Sequence, residues 1–237
     1  MPQSHHCGTF SLPTNCHIMH HAPTQTITRR FKTFVSTAAR ALLALSATAA
    51  CAQSLSLHEG DLIFISPAAP NAITASTGHA EGISYDHVAI FHLIGGTLPY
   101  VIEATPPRVC LTPLDSLLAS SPRATLARVN VPFDTTATIA AALRFVGRPY
   151  DFYFEPNDSA IYCSELVQKS FVNHNGKPLF STIPMSFHDA DGQILDYWKQ
   201  RYAAKGKRVP DGEPGTNPNE LISRSQITTL GSLKPTK

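Results

Sequence analysis

The stretch Tyr162-Cys163-Ser164-Glu165-Leu166-Val167 puts a thiol at the expected start of a helix. The preceding Glu155-Pro156-Asn157-Asp158-Ser159 cannot carry a helix through its proline and is rich in capping residue types, whereas Leu166, Val167 and Phe171 recur at helical spacing. In a first turn, a sulfur faces unsatisfied backbone N–H groups and the positive end of the helix dipole, which favour thiolate over thiol. The chemistry on offer is nucleophilic attack on an acyl carbon. A cysteine taken alone is more often a small core side chain, so this reading depends on partners elsewhere in the chain.

A cysteine nucleophile needs a base to take its proton and a third group to orient that base. His87 and Glu103 are the candidates. Residues 87–93 and 100–105 are β-rich runs separated by Ile94-Gly95-Gly96-Thr97-Leu98-Pro99, whose paired glycines mark a tight reversal. A hairpin turning about Gly95 places His87 directly across from Glu103, and a slip of two residues still leaves both on one sheet face. The carboxylate can then accept the imidazole's second N–H, fixing its tautomer and favouring imidazolium. Taken singly, His87 among Ala89, Phe91 and Leu93 fits a core histidine, and Glu103 fits a solvated strand end; their predicted adjacency raises both. His92 points to the opposite face and His79 lies in a loop, so neither is given a role. His79, Asp86, His87 and His92 lack any standard zinc-ligand spacing, and neither a metal nor a cofactor is expected.

The segments around these groups divide into recognisable strands and helices. Residues 60–65 read as a short buried strand, followed by a Pro-, Ala- and Thr-rich loop over residues 66–84 that is long enough to be functional. After the hairpin, Leu114, Leu117 and Leu118 mark a helix, residues 124–131 a further strand, and residues 135–146 an Ala-rich helix stopped by Gly147. Cys110, in Arg108-Val109-Cys110-Leu111, reads as core. Tyr197 and Trp198 give one more amphipathic piece. From Lys205 onward the chain is rich in Pro, Gly and Asn, and residues 205–237 read as a tail that wraps the domain or is partly disordered.

Residues 1–52 contain no Asp or Glu, carry Arg29, Arg30, Lys32 and Arg40, and run through an apolar stretch to Ala50-Cys51-Ala52. This is the pattern of an export signal with an upstream extension, and the mature chain is expected to start at Gln53. The expected location is therefore periplasmic or secreted, with a lipid anchor on Cys51 as the minor alternative. Of the 19 basic residues, four lie in that leader, leaving 15 against 17 acidic ones, a formal net charge of −2. Such a balance argues against nucleic acid as partner, and no later apolar run is long enough to span a membrane. Residues 53–204 suffice for one catalytic domain.

The ordered set Gly60-Asp61-Leu62-Ile63-Phe64, Asp86-His87-Val88-Ala89-Ile90, Val101-Ile102-Glu103-Ala104, Gly147-Arg148-Pro149-Tyr150-Asp151 and Tyr162-Cys163-Ser164-Glu165-Leu166-Val167 resembles the permuted papain-like amidases, the YaeF/YiiX group related to NlpC-type cell-wall peptidases. Pro214-Gly215-Thr216-Asn217-Pro218 is also similar to that group. The resemblance implies a circularly permuted papain-like α+β fold, an antiparallel sheet packed on helices with the nucleophile at a helix N-terminus. It implies Cys163 as nucleophile, His87 as general base and Glu103 as orienting acid. Tyr150, and with it Tyr162, become weaker candidates for the oxyanion or substrate-binding side. The implied activity is cleavage of an amide through a thioester, with cell-wall (peptidoglycan) peptide as the suggested substrate. Two alternatives stay open. One is acyl-ester or lipid turnover of the lecithin:retinol-acyltransferase-like type, whose nucleophile lies in Asn-Cys-Glu-His-Phe rather than Tyr-Cys-Ser-Glu-Leu. The other is a non-catalytic binding protein in which Cys110 and Cys163 form a disulfide.

Overall fold

The computed structural model describes residues 55–78 and 82–234. The expected leader, including Cys51, and His79 lie outside the described residues. Eight strands and six helices follow one another: β1 (Leu62–Ser66), α1 (Ala72–Thr77), β2 (His87–Ile94), β3 (Leu98–Thr105), β4 (Arg108–Pro113), α2 (Leu114–Ser120), β5 (Arg123–Val129), α3 (Thr135–Leu143), α4 (Cys163–Ser170), β6 (Ile183–Pro184), α5 (Asp196–Ala203), β7 (Pro214–Gly215), α6 (Pro218–Ser223) and β8 (Ile227–Leu233). Six strands form one antiparallel sheet in the order β4-β3-β2-β1-β5-β8, and β6 pairs with β7. This is the expected α+β architecture.

β1 lies inside the sheet and is buried on both faces, which is why its sequence is apolar at nearly every position rather than alternating. Leu62 and Phe64 join Val88, Ile90, Ile102 and Ala104 in a layer closed by Leu166 and Val167 of α4 and Ile139 of α3. Ile63 and Ile65 join Ala89, Phe91 and Val101 in a second layer, closed by Leu114, Leu117 and Leu118 of α2. Period-two alternation along each strand thus sorts side chains into two cores. A third, smaller cluster of Met185, Phe187, Trp198 and Tyr202 packs with Ile73, Tyr153 and Phe154, and carries α5 and the segment before it.

Two expectations need correction. The stretch expected as a tail contains β7, α6 and β8, and β8 forms the edge of the main sheet beside β5, so the domain does not end at residue 204. The loop over residues 66–84 contains α1, whose N-cap Asn71 accepts the N–H groups of Ile73 and Thr74 while Thr74 returns a hydroxyl to the Asn71 N–H. Among the described residues no helix is long and apolar enough to cross a membrane.

Candidate active site

Cys163 is the first residue of α4, and Tyr162 is its N-cap. The helix begins here because Tyr162 is extended, at φ −103° and ψ 168°, and its N–H reaches the Glu165 carboxylate at 3.4 Å, half of a capping box. Glu165 is nearly buried and also meets Lys169 at 3.2 Å. Burial dominates these interactions and raises its pKa from 4.5 to about 7.

The hairpin turns one residue later than the symmetric expectation: Ile94 pairs with Leu98 and Ile90 with Ile102, leaving a three-residue loop of Gly95, Gly96 and Thr97. The register is therefore shifted by two, so Glu103 lies diagonal to His87 rather than straight across, and the face is preserved. The contact forms all the same, with His87 Nε2 2.6 Å from Glu103 Oε2. Glu103 is 1% exposed, and its other oxygen accepts the Thr112 hydroxyl at 2.5 Å from neighbouring β4. Thr112 was not legible as a partner, because nothing local in the sequence announces a cross-strand hydroxyl.

α4 packs on the opposite sheet face from Glu103, yet His87 bridges the two. It is the first residue of β2, at the sheet's end, where the Asp86 carbonyl oxygen lies 4.0 Å from the Cys163 sulfur. With Nε2 committed to Glu103, Nδ1 is left for the thiol. Burial alone would lower the imidazole pKa, but hydrogen bonds to Cys163 and Glu103, together with their charges, outweigh it and raise the pKa to about 10. The imidazolium is thus the favoured form between these two partners.

Cys163 lines a pocket whose walls are largely apolar, among them Ile73, Phe154, Met185, Phe187 and Trp198. Tyr150 and Tyr162 both line it. Burial, then charge at Cys163, Asp151 and Asp86, holds the Tyr150 phenol well above its ordinary pKa, so it keeps its proton and stays a donor. The Tyr162 hydroxyl oxygen instead accepts the Thr216 N–H at 3.1 Å, which ties β7 to the start of α4. Gly215 is required there: a Cβ would meet Met185 Sδ and sit 2.9 Å from the Tyr162 hydroxyl. Asp151, in the Gly-Arg-Pro-Tyr-Asp motif, accepts the N–H groups of Tyr153 at 2.7 Å and Glu155 at 2.6 Å, holding the turn that carries Phe154 at φ 49°. Cys110 and Cys163 are not joined to each other, so the disulfide of the binding-protein alternative is not formed.

The family model described as permuted papain-like amidase enzyme, YaeF/YiiX, C92 family, matches residues 56–231. The chain belongs to that family. It is accordingly a cysteine amidase or peptidase-type hydrolase. The uncharacterized protein YiiX of Escherichia coli strain K12 is 30% identical over 183 residues, 74% of this chain and 87% of that protein. A crystal structure of the metalloprotein yiiX from Escherichia coli O157:H7 superposes with a TM-score of 0.60 at 26% identity, covering 75% of this chain and 98% of that one. In a permuted papain-like amidase the histidine precedes the cysteine, and His87, Glu103 and Cys163 follow that order here.

Proposed function

We propose that this chain is an exported amidase in which Cys163, His87 and Glu103 act as one catalytic unit on an amide substrate, with cell-wall peptide as the substrate class that the family's NlpC-type relationship favours. The observation that carries the reading is a single imidazole held by a buried carboxylate at 2.6 Å at the sheet's end, where the residue before it brings its carbonyl oxygen to 4.0 Å from the sulfur of a helix's first residue. The Cys163 thiolate attacks the amide carbon, and the carbonyl oxygen becomes an oxyanion that receives the Cys163 N–H and the Tyr150 O–H. As the C–N bond breaks, the His87 imidazolium gives its proton to the leaving amine. Water, deprotonated by His87, then attacks the thioester, releasing the acid and the free thiol. Glu103 keeps the imidazole oriented and stabilises its charged form.

The yiiX crystal structure is that of a metalloprotein. Among the described residues of this chain no group of three or more His, Cys, Asp or Glu side chains is gathered to hold a metal. The pocket's apolar walls favour a second reading, hydrolysis of an apolar acyl ester, which the same thiol chemistry would serve. Turnover of matched amide and ester substrates, including cell-wall peptides, tests both. Cys163→Ala should abolish all turnover while leaving the melting temperature within a few degrees of the wild type. Retained turnover in that variant would move the chemistry elsewhere.

A further inference from the structure

The pocket beside Cys163 is lined by aromatic and aliphatic side chains, small hydroxyls and an amide; among the described residues that line it, Asp86 is the one carboxylate, and no Lys or Arg joins it. Asp86 immediately precedes His87, and its backbone carbonyl oxygen is the atom 4.0 Å from the nucleophilic sulfur. One carboxylate oxygen, Oδ2, accepts the side-chain N–H of Asn71 at 2.6 Å, and Asn71 is fixed in turn as the N-cap of α1. That bond holds one oxygen of the carboxyl group and leaves acceptor capacity on it, since an ionised carboxylate offers about four lone-pair sites. Asn71 is neutral, and the charge that acts on Asp86 is that of neighbouring His87, which also faces Glu103 and Cys163. Burial accordingly holds the Asp86 carboxyl above its ordinary range, as expected of an acid in an apolar pocket without a cation of its own.

From this placement we infer that Asp86 is a specificity-determining residue that selects substrates carrying a free, protonated amine within a few bonds of the scissile carbonyl, the apolar walls taking the side chain attached to the same carbon. The substrate class is thus an amide of an apolar amino acid with an unblocked α-amine. An anionic acyl group would be repelled at the same point. A blocked amine would lose the ion pair, leaving the carboxylate desolvated against an apolar group. The inference rests on the amidase reading for its meaning, but the binding step does not need the chemistry to work.

Calorimetric binding to the Cys163→Ala protein at pH 6.5 separates the two. L-leucinamide, whose α-amine is protonated at that pH, should bind at least tenfold more tightly than N-acetyl-L-leucinamide. In Cys163→Ala/Asp86→Asn the preference should fall to within about twofold, with the acetylated probe binding no more weakly than before as the check that the pocket is intact. Equal affinity of the two probes for the Cys163→Ala protein would overturn the inference without any further variant, and so would a preference that survives Asp86→Asn. Hydrolysis of leucine p-nitroanilide by the wild type tests the amidase reading separately: absence of turnover alongside a tenfold binding preference would sink that reading and leave the amine selection standing.

Discussion

Glu103 is held from two sides, by the His87 imidazole and by the Thr112 hydroxyl, and each contact restricts it differently. The hydroxyl fixes the carboxylate's tilt without sharing in proton transfer, which makes Thr112 a positioning residue. Thr112→Val should therefore lower kcat about three- to tenfold with KM unchanged, because the lost hydrogen bond to a charged group affects orientation rather than substrate contact. Thr112→Ser should restore most of the rate. An unchanged kcat in the valine variant would show that His87 alone orients Glu103. The pairing of His87 with Glu103 was readable from two glycines and a period of two, and it tolerated the actual register because a slip of two preserves the face. The Asp86 carboxylate and its Asn71 partner were not readable as a pair, since they stand fifteen positions apart across loop and helix and only the fold brings them together.

The helix that begins with Cys163, the proposed nucleophile, also carries a titrating carboxyl two residues further on. Glu165 has its folded pKa raised from 4.5 to about 7, so the folded state binds more protons than the unfolded chain between those values. Stability must then fall as pH rises through that window, and the cost is fully present above about pH 7. Glu165→Gln removes this term together with the Lys169 contact, so its stability relative to the wild type should improve on going from pH 5 to pH 8, by on the order of 2–3 kcal/mol. Denaturant unfolding at the two pH values measures the difference, and a gap that does not change with pH would contradict it. α2 and α4 were legible from helical spacing, α3 from its run of alanines, β1 from an unbroken apolar run, and β2 and β3 from β-rich runs around paired glycines. α1 was hidden, although Asn71 and Thr74 spelled its capping box, because six residues are too few to show a stripe.

At the scale of the molecule, α4 and Glu103 lie on opposite faces of the sheet with His87 at its end, and the sheet is finished by β8. β8 pairs with β5 from Val129 to Ala124, buries Ile227 and leans Leu230 and Leu233 on the α2-side core. Its sequence, Ile-Thr-Thr-Leu-Gly-Ser-Leu, alternates poorly and contains a glycine, and it follows a Pro/Gly-rich run, which is why it looked like tail. A chain ending at residue 224 should lose cooperative unfolding, because β5 becomes a bare edge and both cores open; a soluble truncation with near-native melting would show that β8 is only a covering. The central claim, that Cys163, His87 and Glu103 meet as one reactive unit, is tested most directly by the rate of iodoacetamide alkylation of each cysteine, followed by peptide mass at pH 6.5 in the wild type and in His87→Ala. Cys110 and Cys163 are similarly buried, at 6% and 4% exposure, so Cys110 serves as the internal reference. Cys163 should react at least tenfold faster than Cys110 in the wild type and lose that advantage in His87→Ala. Equal rates in the wild type, or an advantage untouched by removing the imidazole, would contradict the account.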